Sequence, residues 1–316
     1  MKYCGNCGKL VDDSARFCPD CGKAIAATTS AKDVPVRSGY NKNGHNEAEK
    51  KALRAKPFFA IIVFIMTVLV VFGGVMFFED NGMAFSTAFI AAFTPGLLLL
   101  WYIWRLDSLE REPVGLLAKI WILGALSTIV AIVLEMGMDI VWEEFEIDSY
   151  TTSGVFLYNI IAIGVSEEFS KYLGVKLGGY KSRHFDYMFD GIVYGAVSAL
   201  GFAMVENLLY VLDTGLSTAL VRSALCIPGH TAYGILMGCF IARAKRCSVR
   251  HQAGASINKL LAIIVPAIVH GVYDGLCDLS DETEYGMVVV VLFAALVNAV
   301  SYMIIRNMAK EDERIA

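Results

Sequence analysis

Three patterns are missing from this 316-residue chain: a His-Glu-x-x-His motif, an internal repeat, and a basic-then-apolar leader. Without the first, nothing in the sequence points directly to a metal-dependent hydrolase. Without the second, a transporter assembled from duplicated halves is disfavoured. The polar, Cys-rich start is not expected to be a cleavable signal peptide. Charged residues are also scarce, at 18%, while 56% of residues are apolar and the mean hydropathy is +0.55. A soluble chain would hold about 45–50% apolar residues. Lys and Arg are absent altogether from four hydrophilic segments, "EDNG", "WEEFEIDSYTTS", "DTGLS" and "DLSDETE".

The apolar excess lies in blocks. Eight runs, at 58–78, 84–104, 114–138, 154–177, 187–212, 218–243, 257–277 and 285–305, are long enough to cross a membrane, which takes about 20 helical residues. The expected fold is an all-α polytopic membrane protein of about eight transmembrane helices, with a small N-terminal zinc ribbon. Lys and Arg occur in the alternate segments, including "RLDSLEREP", "KLGGYKSRHFD" and "RAKRCSVRHQAGASINK". This bias predicts a multi-pass membrane protein with both termini in the cytoplasm; that the membrane is a bacterial cell membrane is implied only by the resemblance given below. The expected domains are a zinc ribbon over 1–24, a flexible cytoplasmic linker over 25–56, the eight-span region over 57–309 and a cytoplasmic tail over 310–316.

Residues 1–56 carry 11 Lys/Arg against 6 Asp/Glu, a net +5 that leaves −9 for the remainder. Within this head, Cys4, Cys7, Cys18 and Cys21 form two Cys-x-x-Cys pairs ten residues apart. Four such thiolates suit one tetrahedral Zn2+. In a reducing compartment, zinc is favoured over disulfides. The ribbon reads as structural or regulatory, open to a protein partner. Its basic run "EKKALRAK" abuts the first apolar run, where anionic lipid headgroups are the simpler partner than nucleic acid. Cys226, Cys239, Cys247 and Cys277 show no ligand spacing and read as small core packers.

Several ionisable residues fall inside apolar runs: Glu167, Glu168 and Lys171 in the fourth, Glu206 in the fifth, Arg222 and His230 in the sixth, His270 and Asp274 in the seventh. Charge at the bilayer centre costs about 2.5–3.5 kcal/mol per residue on insertion scales. Glu167 with Lys171, and His270 with Asp274, are i,i+4 neighbours that share one helix face. Four helices therefore offer polar stripes that must face inward, and one water-accessible cavity would relieve all of them. Such a core suits an enzyme; a polar-core transporter or scaffold is the alternative. Glu135 and Asp139, in the third run, read as structural partners of Arg222.

"EEFSK" (167–171), "FAMVEN" (202–207), a histidine in the sixth run and "HGVYD" (270–274) resemble the motifs of the PrsW family of intramembrane proteases, distant relatives of the CAAX prenyl endopeptidases. "DSLEREP" and "FDGIVYGAVSALGFAMVEN" extend the likeness, which covers about residues 95–305. The resemblance implies an intramembrane endopeptidase acting on single-span membrane proteins, anti-sigma-factor-like ones among them. It implies site residues Glu167, Glu168, Lys171, Glu206, His230, His270 and Asp274.

A Glu in an apolar pocket suits general-base work on water. His270, oriented by Asp274, could position that water or donate to the oxyanion. Two mechanisms stay open. One is a metal-free glutamate protease. The other is a metalloprotease in which Glu206, His230 and His270 are three ligands and water takes the fourth position.

Overall fold

The computed structural model describes residues 2–3, 10–12, 15, 85–107, 111–147, 151–310 and 312–315. The chain divides into two units, Met1–Glu47 and Ala48–Ala316. In the first, strands β1 (Lys2–Tyr3) and β2 (Leu10–Val11) pair antiparallel, with Lys2 opposite Val11 and Tyr3 opposite Leu10. The expected zinc ligands Cys4, Cys7, Cys18 and Cys21, the linker 25–56 and the first expected span 58–78 lie outside the described residues.

The second unit is helical. Its described helices are α1 (Phe85–Leu106), α2 (Val114–Glu144), α3 (Thr152–Tyr158), a π-helical segment (Asn159–Gly164) and α4 (Val165–Gly178). They continue with α5 (Met188–Thr214), α6 (Leu216–Ala224), α7 (Cys226–Val249), α8 (Ala255–Asp278) and α9 (Gly286–Lys310). Five stretches among the described residues are long and apolar enough to cross a membrane: Val114–Glu144, Met188–Thr214, Val221–Val249, Ala255–Glu282 and Gly286–Lys310. The expected run 154–177 is not one of these five. The π-helical segment interrupts it, and it carries Glu167, Glu168, Lys171 and Lys176. The run expected at 218–243 divides at Leu225 into α6 and α7. Pro228 has no N–H to give the preceding turn and is best accommodated in a helix's first turn, which is where it stands in α7.

Helix α5 is the axis of this unit. It is apolar on every side, as a helix enclosed by others must be, and Ile192, Tyr194, Leu200, Phe202 and Met204 are all sealed from solvent. It crosses α7 backbone to backbone, because Gly191 and Gly195 meet Gly234 and Gly238. A Cβ at Gly191 would stand 2.6 Å from Gly238 O, and one at Gly234 would stand 2.6 Å from Gly195 O. Both pairs have the Gly-x-x-x-Gly spacing that lets membrane helices approach closely. Helices α2 and α9 instead turn Val133, Ile140, Leu292 and Leu296 outward, suited to lipid.

The segment expected as a tail is docked rather than free. Met188 N donates to Glu313 O at 3.0 Å, and Ile315 N donates to Asp186 O at 2.7 Å. Asp312 Oδ1 accepts from Phe189 N at 2.9 Å, so a carboxylate satisfies an otherwise orphaned amide at the start of α5. The Ile315 side chain is buried in the core, and Arg250 donates to Ile315 O at 3.1 Å. Burial pushes the carboxyls of Asp312 and of nearby Glu112 up to about 7.

Candidate active site

The first turn of α4 presents Glu167 and Glu168, and Lys171 reaches back one turn to meet both. Lys171 Nζ lies 2.9 Å from Glu167 Oε2, 2.7 Å from Glu168 Oε1 and 2.9 Å from His230 Nδ1 on α7. An ammonium has three donors and no acceptor, so all three are committed. Its remaining face rests 4.3 Å from the centre of the Phe202 ring on α5.

Those contacts fix a tautomer. Since Lys171 only donates, His230 Nδ1 accepts, and the proton of the neutral imidazole sits on Nε2. That nitrogen lies 2.8 Å from Glu206 Oε2 on α5. Glu206 Oε1 takes Arg222 Nη2 at 2.7 Å, and Arg222 Nε donates to Asn207 Oδ1 at 3.2 Å. From α8, His270 Nδ1 lies 3.1 Å from Glu168 Oε1 and 3.7 Å from Glu167 Oε2, while its Nε2 lies 3.2 Å from Asp274 Oδ2. The two imidazoles stand 4.9 Å apart, centre to centre, at 80°.

A cavity of about 300 Å³ opens onto this cluster, with Glu167, Glu206, His230, His270 and Asp274 in its wall. The two adjacent glutamates are thereby distinguished. Glu167 faces the cavity, whereas Glu168 is sealed behind it at 0% exposure, with Oε2 buried and lacking a hydrogen-bond partner.

All seven residues singled out from the sequence meet here, although they come from four separate helices. Arg222 does not pair with Glu135 or Asp139 as expected. Asp139 accepts from Tyr158 Oη instead, and Glu135 has no ion-pair partner among the described residues. Cys226 and Cys277 pack against the apolar core as expected and also line the cavity, where Cys226 Sγ lies 3.5 Å from Tyr273 Oη. Tyr233, another wall residue, escaped the sequence reading. Its place one turn after His230 on the same helix face was the available signal.

Whether the cluster fits a metal can be tested on its donors. The four atoms that converge, to within 4.8 Å of one another, come from Glu167, Glu168, His230 and His270. Glu206 is not among them, unlike in the expected trio, because it is turned toward Arg222. Carboxylates and imidazoles are suitable ligands. Their spread, however, exceeds the roughly 3.3 Å edge of a tetrahedral zinc site. Lys171 Nζ also sits within hydrogen-bonding distance of three of the four groups. In this arrangement an ammonium holds the position a metal would need, so the residues as placed do not fit one.

Comparison with known proteins gives the same outline. A family model described as PrsW family intramembrane metalloprotease matches residues 112–300, and a zinc-ribbon domain model matches residues 1–25. The chain is 33% identical over 184 residues to Protease PrsW of Oceanobacillus iheyensis, covering 58% of this chain and 80% of that protein. It is 31% identical over 204 residues to Protease PrsW of Bacillus subtilis, covering 64% of this chain and 88% of that protein. It is 27% identical over 212 residues to Protease PrsW of Clostridioides difficile, covering 66% and 85%. No solved structure matches. The matched region runs through every helix that contributes to the cluster, and the chain belongs to the PrsW family of intramembrane proteases.

Proposed function

We propose that this intramembrane peptidase hydrolyses the peptide bonds of single-span membrane proteins with a water activated by Glu167. The observation that carries this reading is the division of labour in the acidic pair. Glu167 lines the cavity, while Glu168 is held behind it by Lys171 and His270. As the water oxygen bonds to the carbonyl carbon, Glu167 takes its proton. When the C–N bond breaks, that proton passes to the departing amine. Glu168 and Asp274, at opposite nitrogens of His270, orient the imidazole toward the reacting centre. Lys171 keeps two adjacent carboxylates compatible with burial. Glu206, tied to His230 and Arg222, supports the wall from α5.

For the chain we propose eight spans, 58–78 included, with both termini in the cytoplasm, and separately a zinc held by Cys4, Cys7, Cys18 and Cys21. The domain limits follow the sequence: ribbon 1–24, linker 25–56, membrane domain 57–309 and tail 310–316. The ribbon is structural or regulatory in this scheme, since it offers no open ligand position.

Glu→Gln keeps the shape of the side chain and removes the base. Glu167→Gln should abolish cleavage of a co-expressed single-span reporter at unchanged expression, and Glu168→Gln should impair it. Undiminished cleavage by both variants would retire the glutamate-activated water.

A further inference from the structure

An oxyanion donor must be close to the reacting carbonyl and uncommitted before substrate arrives. The donors around the cavity can be sorted on that basis. Lys171 spends its three hydrogens on Glu167, Glu168 and His230. Arg222 is engaged with Glu206 and Asn207, and His230 Nε2 stands 2.8 Å from the Glu206 carboxylate. His270 has a carboxylate at each nitrogen. Asn159 donates to Asp278 and Val155, Tyr158 donates to Asp139, and Tyr273 touches Cys226. Tyr210 lies under the Arg222 guanidinium, 3.8 Å from ring centre to Cζ, and is nearly half exposed.

Tyr233 remains. It lines the cavity, and its hydroxyl makes no hydrogen bond among the described residues. The ring stacks on His270 at 4.7 Å and 27°, and meets His230 edge-on at 5.8 Å. The hydroxyl points back one turn along α7, where Gly229 leaves it room. A Cβ at Gly229 would lie 3.3 Å from Tyr233 Oη.

We propose that Tyr233 is a catalytic residue whose hydroxyl donates to the carbonyl oxygen of the scissile peptide, while its ring holds His270 in place. This role rests on the hydrolytic reading above. As the water oxygen bonds to the carbonyl carbon and Glu167 takes the proton, the carbonyl π electrons move onto oxygen. The phenol stabilises that charge as a neutral donor and keeps its own proton. When the carbonyl re-forms and the C–N bond breaks, the hydrogen bond relaxes and Tyr233 is unchanged.

The test uses the full chain in detergent micelles and a fluorophore–quencher peptide carrying the membrane segment of a reporter that the wild type cleaves. Tyr233→Phe keeps the stacked ring and removes the donor, so kcat should fall about 10²–10³-fold with little change in KM. Tyr233→Leu also removes the stack. It should lose more, and should displace the pH profile of kcat because His270 is no longer held. Gly229→Ala, which crowds the hydroxyl while leaving Tyr233 in place, should lower kcat as well. The melting temperature of Tyr233→Phe should match that of the wild type. A kcat for Tyr233→Phe within about threefold of wild type, at equal stability, would overturn the proposal. The two readings separate cleanly. Impaired Tyr233→Phe beside fully active Glu167→Gln and Glu168→Gln retires the glutamate base and keeps the tyrosine. The reverse pattern retires the tyrosine alone.

Discussion

Lys171 Nζ stands 2.9 Å from His230 Nδ1, a contact across 59 residues of sequence in which the imidazole nitrogen has to be the acceptor. The ammonium therefore joins α4 to α7 as well as neutralising the carboxylates on its own helix. Removing it strands two buried acids and a lone pair together. Lys171→Met is expected to cost about 3–5 kcal/mol, read as a large fall in melting temperature in micelles together with loss of cleavage. An unchanged melting temperature would show that the cluster does not depend on this cation.

Metal analysis should separate the two ends of the chain. Cys4→Ser combined with Cys18→Ser should release the zinc of the purified protein and leave proteolysis measurable. A protein lacking residues 1–24 should retain no stoichiometric metal and keep cleaving in the presence of a chelator, because Lys171 occupies the convergence point of the donors. Stoichiometric metal in that shortened protein, with activity that vanishes and returns with it, would instead put a cation in the cluster.

Orientation can be read with a reporter active only outside the membrane. Fused after Ala316 it should be silent, and inserted at Asp148 it should be active. The opposite pattern would invert the proposed topology.

The docked segment 312–315 should respond to pH. The Glu112 and Asp312 carboxyls, at 4.5 and 3.8 in the unfolded chain, rise to about 7 in the folded protein, chiefly through burial, with the Asp107 charge adding to it. Their raised values mean that the folded state binds protons more tightly. The associated stability is complete below about pH 4 and is lost as the pH climbs to about 7. The protection of the Met188 and Ile315 amides, measured against the base-catalysed intrinsic exchange rate at each pH, should accordingly be greater at pH 6 than at pH 8. Glu112→Gln should flatten the difference, and equal or lower protection at pH 6 would contradict the assignment.

That these residues would share one polar cluster was legible in the sequence because hydrocarbon penalises every unexplained charge; Glu167, Lys171, His270 and Asp274 stand out by composition and i,i+4 spacing alone. Pairing between helices was not legible. Periodicity places a residue on a face but does not rank distant partners, so Arg222 was matched to Glu135 and Asp139 when Glu206 and Asn207 lay nearer. Tyr233 escaped because an aromatic in an apolar run looks like packing until the cavity beside it is known. The division at Leu225 was not legible: hydropathy runs straight across it, and a proline such as Pro228 does not by itself mark a break, since Pro95 and Pro266 sit inside continuous helices.

The π-helical segment Asn159–Gly164 joins two sets of anchors. At its start, Tyr158 and Asn159 are moored to Asp139 and Asp278; after it, Glu167 and Glu168 are moored to Lys171 and His270. An α-helix advances about 100° per residue. Loss of a single residue here, with relaxation to ordinary α geometry, would swing one set of moorings more than a quarter turn away from the other. The segment thus works as an indexing notch that sets which carboxylate faces the water, and insertions or deletions should be tolerated less here than in the outward-facing turns of α2 or α9.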